Sequence, residues 1–315
     1  MITKVEYREL YDMIDTVHYA SLTFRYYAKR LTLEHPRWKP LVVAASLDGV
    51  PVGLGLAQPE ADSSSAELLS LSVAETLRGR GIATELLRRI EESCLARGID
   101  SIHGHYMSGE DHTAAVERVL EKRVFSVPVP RMLAVRCSLE SISHAPWIKR
   151  YKLPPHFEII SWNGVSEAER AQIRRSNVAA PWIPHDLLPF SFEADMEPVT
   201  SLALRVRGEI RGWVINHLID GMLRFTCSYV HPEQQRLGRI LLLYNEAVRR
   251  MPLINTSVGM WTVPFEHAGM AAFARRWMQP YSIFFGETRG VHKKLRGTGA
   301  AIDARNFGGA MPPLV

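Results

Sequence analysis

Residues 73–87 read VAETLRGRGIATELL and join a β-type run to an amphipathic helix through a glycine-rich turn. The apolar spacing after the turn predicts a helix that ends near Arg97-Gly98. Its buried stripe is predicted to consist of Ile82, Leu86, Leu87, Ile90 and Cys94. The turn itself carries two glycines and two arginines within four residues, 78–81. This combination decides how the whole chain is interpreted.

The turn has the chemistry of a phosphate site. A helix begins with unpaired N–H groups and a partial positive charge, which together attract anions. Gly79 and Gly81 let the backbone bend sharply and approach an anion closely, and Ala83 keeps the first turn open. Arg78 and Arg80 add positive charge at the rim. The alternative is a tight connection with no ligand.

The elements around this turn predict a mixed α and β domain. Residues 6–31 have helical apolar spacing and predict one or two helices. Residues 41–58 predict a hairpin that turns at Asp48-Gly49. Strands are predicted at 66–73 and 101–107, a helix at 112–123, and a last β pair around 124–139.

The second half of the chain repeats this order. Aligning Val230 with Val73 places Gly238 on Gly81, since 230 − 73 and 238 − 81 both equal 157. An offset of half the chain predicts an internal duplication. The predicted domains are 1–139 and 156–315, joined by a proline-containing linker at 140–155.

Composition narrows the class of protein. The 315 residues carry a formal net charge of +5 without a long basic run, which argues against nucleic acid as a partner. No apolar run is long enough for a membrane span, and no secretory leader is recognisable, so we expect a cytoplasmic protein. The three cysteines predict buried free thiols, and the Cys and His spacing predicts no metal site.

With this element order, the stretch Arg78-Gly79-Arg80-Gly81-Ile82-Ala83 resembles the coenzyme A motif of the GNAT superfamily of acyl-CoA-dependent N-acetyltransferases, Arg/Gln-x-x-Gly-x-Gly/Ala. The resemblance is good over 40–107 and looser over the rest of the first half. It implies an α/β (α+β) fold of two tandem domains, each with a mostly antiparallel, splayed sheet flanked by helices. It also implies acetyl-CoA as cofactor, held by Leu71, Ser72, Val73, Arg78, Gly79, Arg80, Gly81, Ile82, Ala83 and Thr84.

The resemblance also suggests catalytic residues. Glu67 lies eleven residues before Arg78, where the histone-acetyltransferase branch carries its general base. A base is needed because an amine with a pKa near ~10 is protonated at neutral pH. On the next strand, His105 is a second candidate base and Tyr106 a candidate acid, with His103 on the same face as His105. Each of these residues also has an ordinary structural interpretation.

Two departures from the family pattern bear on the mechanism. Leu120 stands where many members carry a tyrosine that acts as general acid, and Val124 stands where they carry glycine. In the repeat, Ile240 replaces the final small residue of the motif and Arg224 replaces Glu67. The second domain is therefore interpreted as degenerate, kept for packing, acceptor binding or dimerisation.

The function expected from the resemblance is direct transfer of an acyl group, acetyl by preference, from coenzyme A to an amine of a small molecule or peptide in the N-terminal domain. Two alternatives stay open. One is a coenzyme-A-binding sensor or assembly protein without turnover. The other is catalysis in the C-terminal domain, as in mycothiol-synthase-like tandem enzymes.

Overall fold

The computed structural model describes residues 4–31, 39–61, 63–150, 153–235 and 237–296. Their strands are β1 (Val5–Leu10), β2 (Leu41–Leu47), β3 (Val50–Pro59), β4 (Ser65–Val73), β5 (Ser101–Met107), β6 (Val129–Ser138), β7 (Phe157–Ser161), β8 (Leu202–Val206), β9 (Glu209–Ile219), β10 (Met222–Val230), β11 (Val258–Pro264) and β12 (Phe284–Lys294). Their helices are α1 (Met13–Val17), α2 (Arg25–Leu31), α3 (Ile82–Ala96), α4 (Thr113–Lys122), α5 (Leu139–Ser143), α6 (Pro146–Arg150), α7 (Glu167–Ala179), α8 (Pro232–Gln235), α9 (Ile240–Arg250) and α10 (Ala268–Phe273).

The chain divides into two compact units. The first comprises the residues up to Arg131 and a segment that starts at Glu287, and the second runs from Met132 to Gly286. The first unit therefore obtains its last strand, residues 287–294 of β12, from the far end of the chain. The predicted boundaries, 1–139 and 156–315, differ from this division.

The first unit is a twisted sheet in the order β1-β2-β3-β4-β5-β12. Neighbouring strands are antiparallel except for β4 and β5, which are parallel. Asp48 and Gly49, both with positive φ, form the predicted turn between β2 and β3. Helices α3 and α4 pack one core on one face of the sheet, and α2 contributes Tyr27 and Leu31 to a second core on the other face.

The second unit repeats this pattern in the order β6-β11-β10-β9-β8-β7. Again the pairs are antiparallel except for one parallel pair, β10 and β11. Helix α9 packs into one core, while Ile173 of α7 packs into a second core with Trp162 and Trp213. The predicted fold class, two tandem domains with splayed mixed sheets, is confirmed.

Three local predictions were wrong. Residues 5–10 form strand β1 instead of a helix, with a burial pattern that alternates along the edge of the sheet. The predicted β pair around 124–139 is the single strand β6. The predicted linker at 140–155 contains α5 and α6, whose Ile142 and Trp147 are buried in the second unit's core.

The last strand gives a test of the first unit's construction. Val291 of β12 is 4% exposed and lies in the core beneath α3 and α4. Val291→Asp should lower the free energy of unfolding by about 3 kcal/mol or more, because the new carboxylate would be buried among apolar side chains. The cations two residues away on the same face, Arg289 and Lys293, already pair with Glu117 and Glu91. Urea unfolding checks this, with Val50→Asp, at a position 61% exposed, as the matched control. Equal losses in the two variants would contradict the placement of β12.

Candidate acyl-CoA site in the first unit

Strands β4 and β5 separate part of the way along their length. They pair from Ser65–Ser101 to Leu68–Gly104, and no pairing between them continues further within the described residues. The register of β4 against β3 shifts at the same level, which leaves Leu69 as a bulge. The last residues of β4, among them the predicted Leu71, Ser72 and Val73, therefore border a gap on the β5 side.

The glycine-rich turn follows directly after this open edge. Gly79 and Gly81 have φ of +79° and +84°. Apart from the adjacent residues, no described atom lies within 4 Å of a Cβ built on either glycine. The first backbone hydrogen bond of α3 runs from the Glu85 amide to the Gly81 carbonyl at 3.1 Å. Within the described residues, no backbone acceptor takes the amides of 79–84. The turn therefore presents a row of free donors, as a phosphate site requires.

The side chains of the turn play different parts. Ile82 is buried in the core and anchors the start of α3, while Ala83 and Thr84 are half-buried. Arg78 and Arg80 are exposed, and the Arg78 Nε donates to the Val73 carbonyl at 3.2 Å. That bond joins the turn to the end of β4. Arg80 is left facing solvent at the rim.

The carboxylate of Glu85, in the first turn of α3, is paired with two arginines. Hydrogen bonds from Arg88 and, to a lesser extent, Arg89 lower the pKa of Glu85 to about 2. The two arginines lie one turn further along the helix, at 2.6 and 2.8 Å from the Glu85 Oε1. Their charges offset the repulsion that Glu85 would exert on an anion at the helix start.

The structure brings Glu67 and His105 together. The Glu67 Oε1 lies 3.5 Å from the His105 Nδ1, with side chains 31% and 9% exposed. His103 continues the group, since its ring centroid lies 6.0 Å from that of His105. The His103 Nδ1 lies 3.2 Å from the Ser65 Oγ, and its Nε2 lies 3.6 Å from the Glu60 Oε1. A carboxylate and two imidazoles thus lie at the point where β4 and β5 part.

The electrostatics of this group favour a neutral imidazole at its buried end. Burial lowers the pKa of His103, against the opposing effect of the carboxylates of Glu60 and Glu67. A neutral imidazole can accept a proton as well as donate one. The buried end of the group is therefore uncharged at neutral pH, and its lowered pKa makes it a weaker proton acceptor than a free imidazole.

Tyr106 lies apart from Glu67 and His105. Its side chain packs against the core under α3 and α4, on the opposite face of the sheet from His105. Its hydroxyl donates to the Glu117 Oε1 at 2.7 Å, and Arg289 holds that same oxygen at 2.7 Å. Burial and Glu117 both raise the pKa of Tyr106. Leu120, at the family's usual tyrosine position, is buried in the same core.

Two residues on the same face of the sheet as His103 and His105 were not identified from the sequence. His292 of β12 pairs with His103, and its buried Nδ1 has no hydrogen-bond partner among the described residues. The Arg131 side chain passes over Gly290, with its Cδ 3.0 Å from a Cβ built there. Residues 287–294 are far from the motif in sequence, so no local pattern pointed to them.

The corresponding turn in the second unit has fewer free donors among the described residues, because the amides of Gly238 and Arg239 donate to the carbonyls of Gln235 and Gln234. The amides of Leu241 and Leu242 donate to the carbonyls of Gly238 and Arg239, at 3.1 Å each. Gly238 keeps a positive φ of +63°, but the first turn of α9 is closed by its own backbone. Arg224 occupies the strand position that Glu67 has in the first unit. An anion has fewer amides to bind here.

His103 gives a test of the buried imidazole. Its pKa is lower in the folded than in the unfolded chain, so the unfolded chain binds more protons as the pH falls through about 6.5. Unfolding free energy should therefore fall on acidification from pH 7.5 to 5.5, and this fall should be smaller in His103→Gln. Urea unfolding at both pH values checks it, with exposed His112→Gln as control. Identical losses in wild type and His103→Gln would contradict the assignment.

Some features are absent from the part of the chain that the structure describes. No helix there has both the length and the apolar character needed to cross a bilayer. Nor do its His, Cys, Asp and Glu residues form a cluster of three or more that would hold a metal ion. Cys94, Cys137 and Cys227 are buried and free, as predicted, and burial raises the pKa of each thiol to about 12.

Comparison with known proteins agrees with this geometry. The acetyltransferase (GNAT) family matches residues 5–116, while no curated protein matches the chain. A tandem GNAT protein from the clavulanic acid biosynthesis pathway has a TM-score of 0.63 at 13% identity, covering 94% of this chain and 100% of that one. A GCN5-related N-acetyltransferase from Sphaerobacter thermophilus also scores 0.63, at 14% identity, covering 93% and 96%. Residues 5–116 therefore match the GNAT family, and the chain as a whole has a fold similar to that of a tandem GNAT protein.

Proposed function

We propose that this protein transfers an acetyl group from acetyl-CoA to an amine of a small molecule or peptide, with the reaction in the first unit. The observation that carries the proposal is the row of free amides at 79–84 beside the open edge of β4. GNAT proteins are in general acetyltransferases, and the first unit contains the family match. Acetyl-CoA as cofactor and direct transfer as mechanism are part of the proposal.

The free amides fit the diphosphate of coenzyme A. Backbone N–H groups at a helix start bind phosphate oxygens, and the positive end of the α3 dipole adds to the attraction. Arg80 at the rim adds a mobile positive charge. The unpaired edge at Leu71–Val73 offers backbone groups to the amide-containing arm of the cofactor, in the manner of an added strand.

Glu67 and His105 would manage the acceptor's proton. Acetyl-CoA supplies a thioester, whose carbonyl carbon gains a bond to the amine nitrogen as its bond to sulfur breaks. The amine must lose a proton to attack, and we assign its uptake, directly or through water, to the Glu67 carboxylate. The 31% exposure of this side chain and its neighbour His105 support that role. His105, 3.5 Å away, would stabilise the charge or pass the proton on, while a free N–H of the β4 edge would stabilise the developing oxyanion.

The proposal also covers the cellular compartment of the protein and its macromolecular partners. The three buried free thiols suit the reducing environment of the cytoplasm. We infer neither a nucleic-acid partner nor a membrane partner, since the net charge of +5 is not concentrated in a basic run. A homodimer remains compatible with this function.

A second candidate function is coenzyme A binding without turnover. It is favoured by the placement of Tyr106, whose hydroxyl is engaged by Glu117 on the opposite face from Glu67. Leu120 has no proton to give, so the sulfur leaving group would have to be protonated by His105 or by water. Coenzyme A binding with no acetyl transfer across a broad panel of amines would favour this candidate.

The location of the cofactor is tested by a pair of glycine substitutions. Gly81→Glu places a negative charge beside the free amides and should weaken coenzyme A binding at least about tenfold, by electrostatic repulsion. Gly238→Glu, at the equivalent position, should leave the affinity unchanged. Titration calorimetry measures both, and Gly81→Asn tests the backbone alone, because Asn tolerates a positive φ. The reverse outcome would place the cofactor in the second unit.

The base is tested by kinetics. Glu67→Gln removes the proton acceptor while keeping the side-chain shape, so kcat/KM should fall about 100-fold. The pH optimum should also rise, because more of the amine must then lose its proton to solvent. Steady-state rates between pH 6 and 9 check this, with Glu6→Gln on an exposed position of β1 as control. An unchanged rate in Glu67→Gln would remove this residue from the mechanism.

A further inference from the structure

The second unit contains a buried arginine at the level where its sheet opens. Arg224 of β10 pairs with Met260 of β11, and the pairing of these parallel strands ends one residue later, at Phe225 and Trp261. The register of β10 against β9 shifts at the same level, leaving Thr226 as a bulge. Arg224 therefore occupies, in its own unit, the place where the first unit carries Glu67.

The charge of Arg224 is left uncompensated by the described residues. The residue is only 7% exposed, and its buried Nε has no hydrogen-bond partner there. Its Nη2 makes a long contact of 3.5 Å with the Thr262 hydroxyl. Burial lowers the pKa of Arg224, and no carboxylate offsets that effect. Since a guanidinium stays charged in proteins, this burial is costly without an anion.

The residues paired with Arg224 and Met260 on the neighbouring strands include no carboxylate. His217, opposite Arg224 on β9, already uses both ring nitrogens, with the Thr226 hydroxyl at 2.8 Å and the Ala194 carbonyl at 2.9 Å. On the far side of Met260, the pairing partner on β6 is Arg136, whose guanidinium lies 4.5 Å from the Phe284 ring centroid. The row across the sheet thus carries two guanidiniums and no carboxylate.

We propose that the second unit binds a carboxylate-bearing small molecule, anchored by Arg224 where β10 and β11 separate. The planar guanidinium presents parallel N–H donors that match the two oxygens of a carboxylate. The Thr262 hydroxyl beside it offers a further donor, and the paired residue on β11, Met260, is apolar and buried. A diphosphate fits less well, because the amides of Gly238, Arg239 and Leu241 at the α9 start are already bonded, whereas their equivalents in the first unit are not. Binding at Arg224 does not require the acetyl transfer proposed for the first unit.

Intrinsic fluorescence is suited to the test, because six of the seven tryptophans lie between residues 132 and 286, within the second unit. The full-length protein is heated in acetate or succinate and in chloride of equal ionic strength. The carboxylates should raise the unfolding midpoint by about 2–4 °C over chloride. This increment should vanish in Arg224→Met, which should itself be more heat-stable than wild type in chloride. Arg249→Met, at a side chain 71% exposed, is the matched control and should keep the increment.

Several results would overturn the proposal. The first is an unfolding midpoint of the wild type that is the same in carboxylate and in chloride. The second is a carboxylate increment in the midpoint that survives in Arg224→Met. The third is a larger increment in the midpoint from inorganic phosphate than from the carboxylates. If Arg224→Met does not fold, Arg224→Lys replaces it. That variant keeps the charge but loses the planar fork, so it should fold and show a reduced carboxylate increment. A full increment in Arg224→Lys would also contradict the proposal.

Discussion

The separation of β4 from β5 is the constraint on which the rest of the first unit depends. Parallel pairing ends at Leu68 and Gly104, and the bulge at Leu69 bends β4 away at the same level. A strand edge inside a domain normally satisfies its backbone groups with a neighbour. Beyond Leu68, however, β5 no longer pairs with β4. The glycine turn that follows β4 adds a second set of unpaired amides. The fold thus keeps backbone donors free for a ligand at the cost of its own hydrogen bonds.

The second unit repeats this geometry with opposite chemistry. The paired positions Glu67–His103 and Arg224–Met260 are both related by the 157-residue offset, since 224 − 67 and 260 − 103 both equal 157. Each pair continues onto one further strand, where His292 pairs with His103 and Arg136 pairs with Met260. Each unit thus has a row of three paired residues across its sheet. A row of a carboxylate and imidazoles can accept protons, whereas a row of guanidiniums cannot. The same backbone can therefore support proton transfer in one unit and anion binding in the other.

The sequence predicted local features well and long-range ones poorly. The hairpin at Asp48-Gly49, the helix from Ile82 and the strand 101–107 follow from turn chemistry and periodicity, and the structure contains all three. Strand β1 was missed because charged residues on an edge strand mask its alternation. The contribution of 287–294 to the first unit was missed because strand partners far apart in sequence leave no local signal. Glu67 and His105 were predicted as site residues because they lie near the motif in sequence, whereas His292 lies far from it and was not.

A helix start binds an anion only if its amides are not already used, and this distinguishes the two glycine turns more sharply than their motifs do. The sequence difference is small, since both turns keep a glycine with positive φ. The decisive difference is that the amides of Gly81, Ile82 and Thr84 have no backbone acceptor among the described residues. The equivalent amides of Gly238, Arg239 and Leu241 donate to the carbonyls of Gln235, Gln234 and Gly238. A bond that reaches back three residues instead of four pairs amides that would otherwise be free to bind a phosphate. Loss of a phosphate site can therefore occur in the backbone while the glycine that marks it persists.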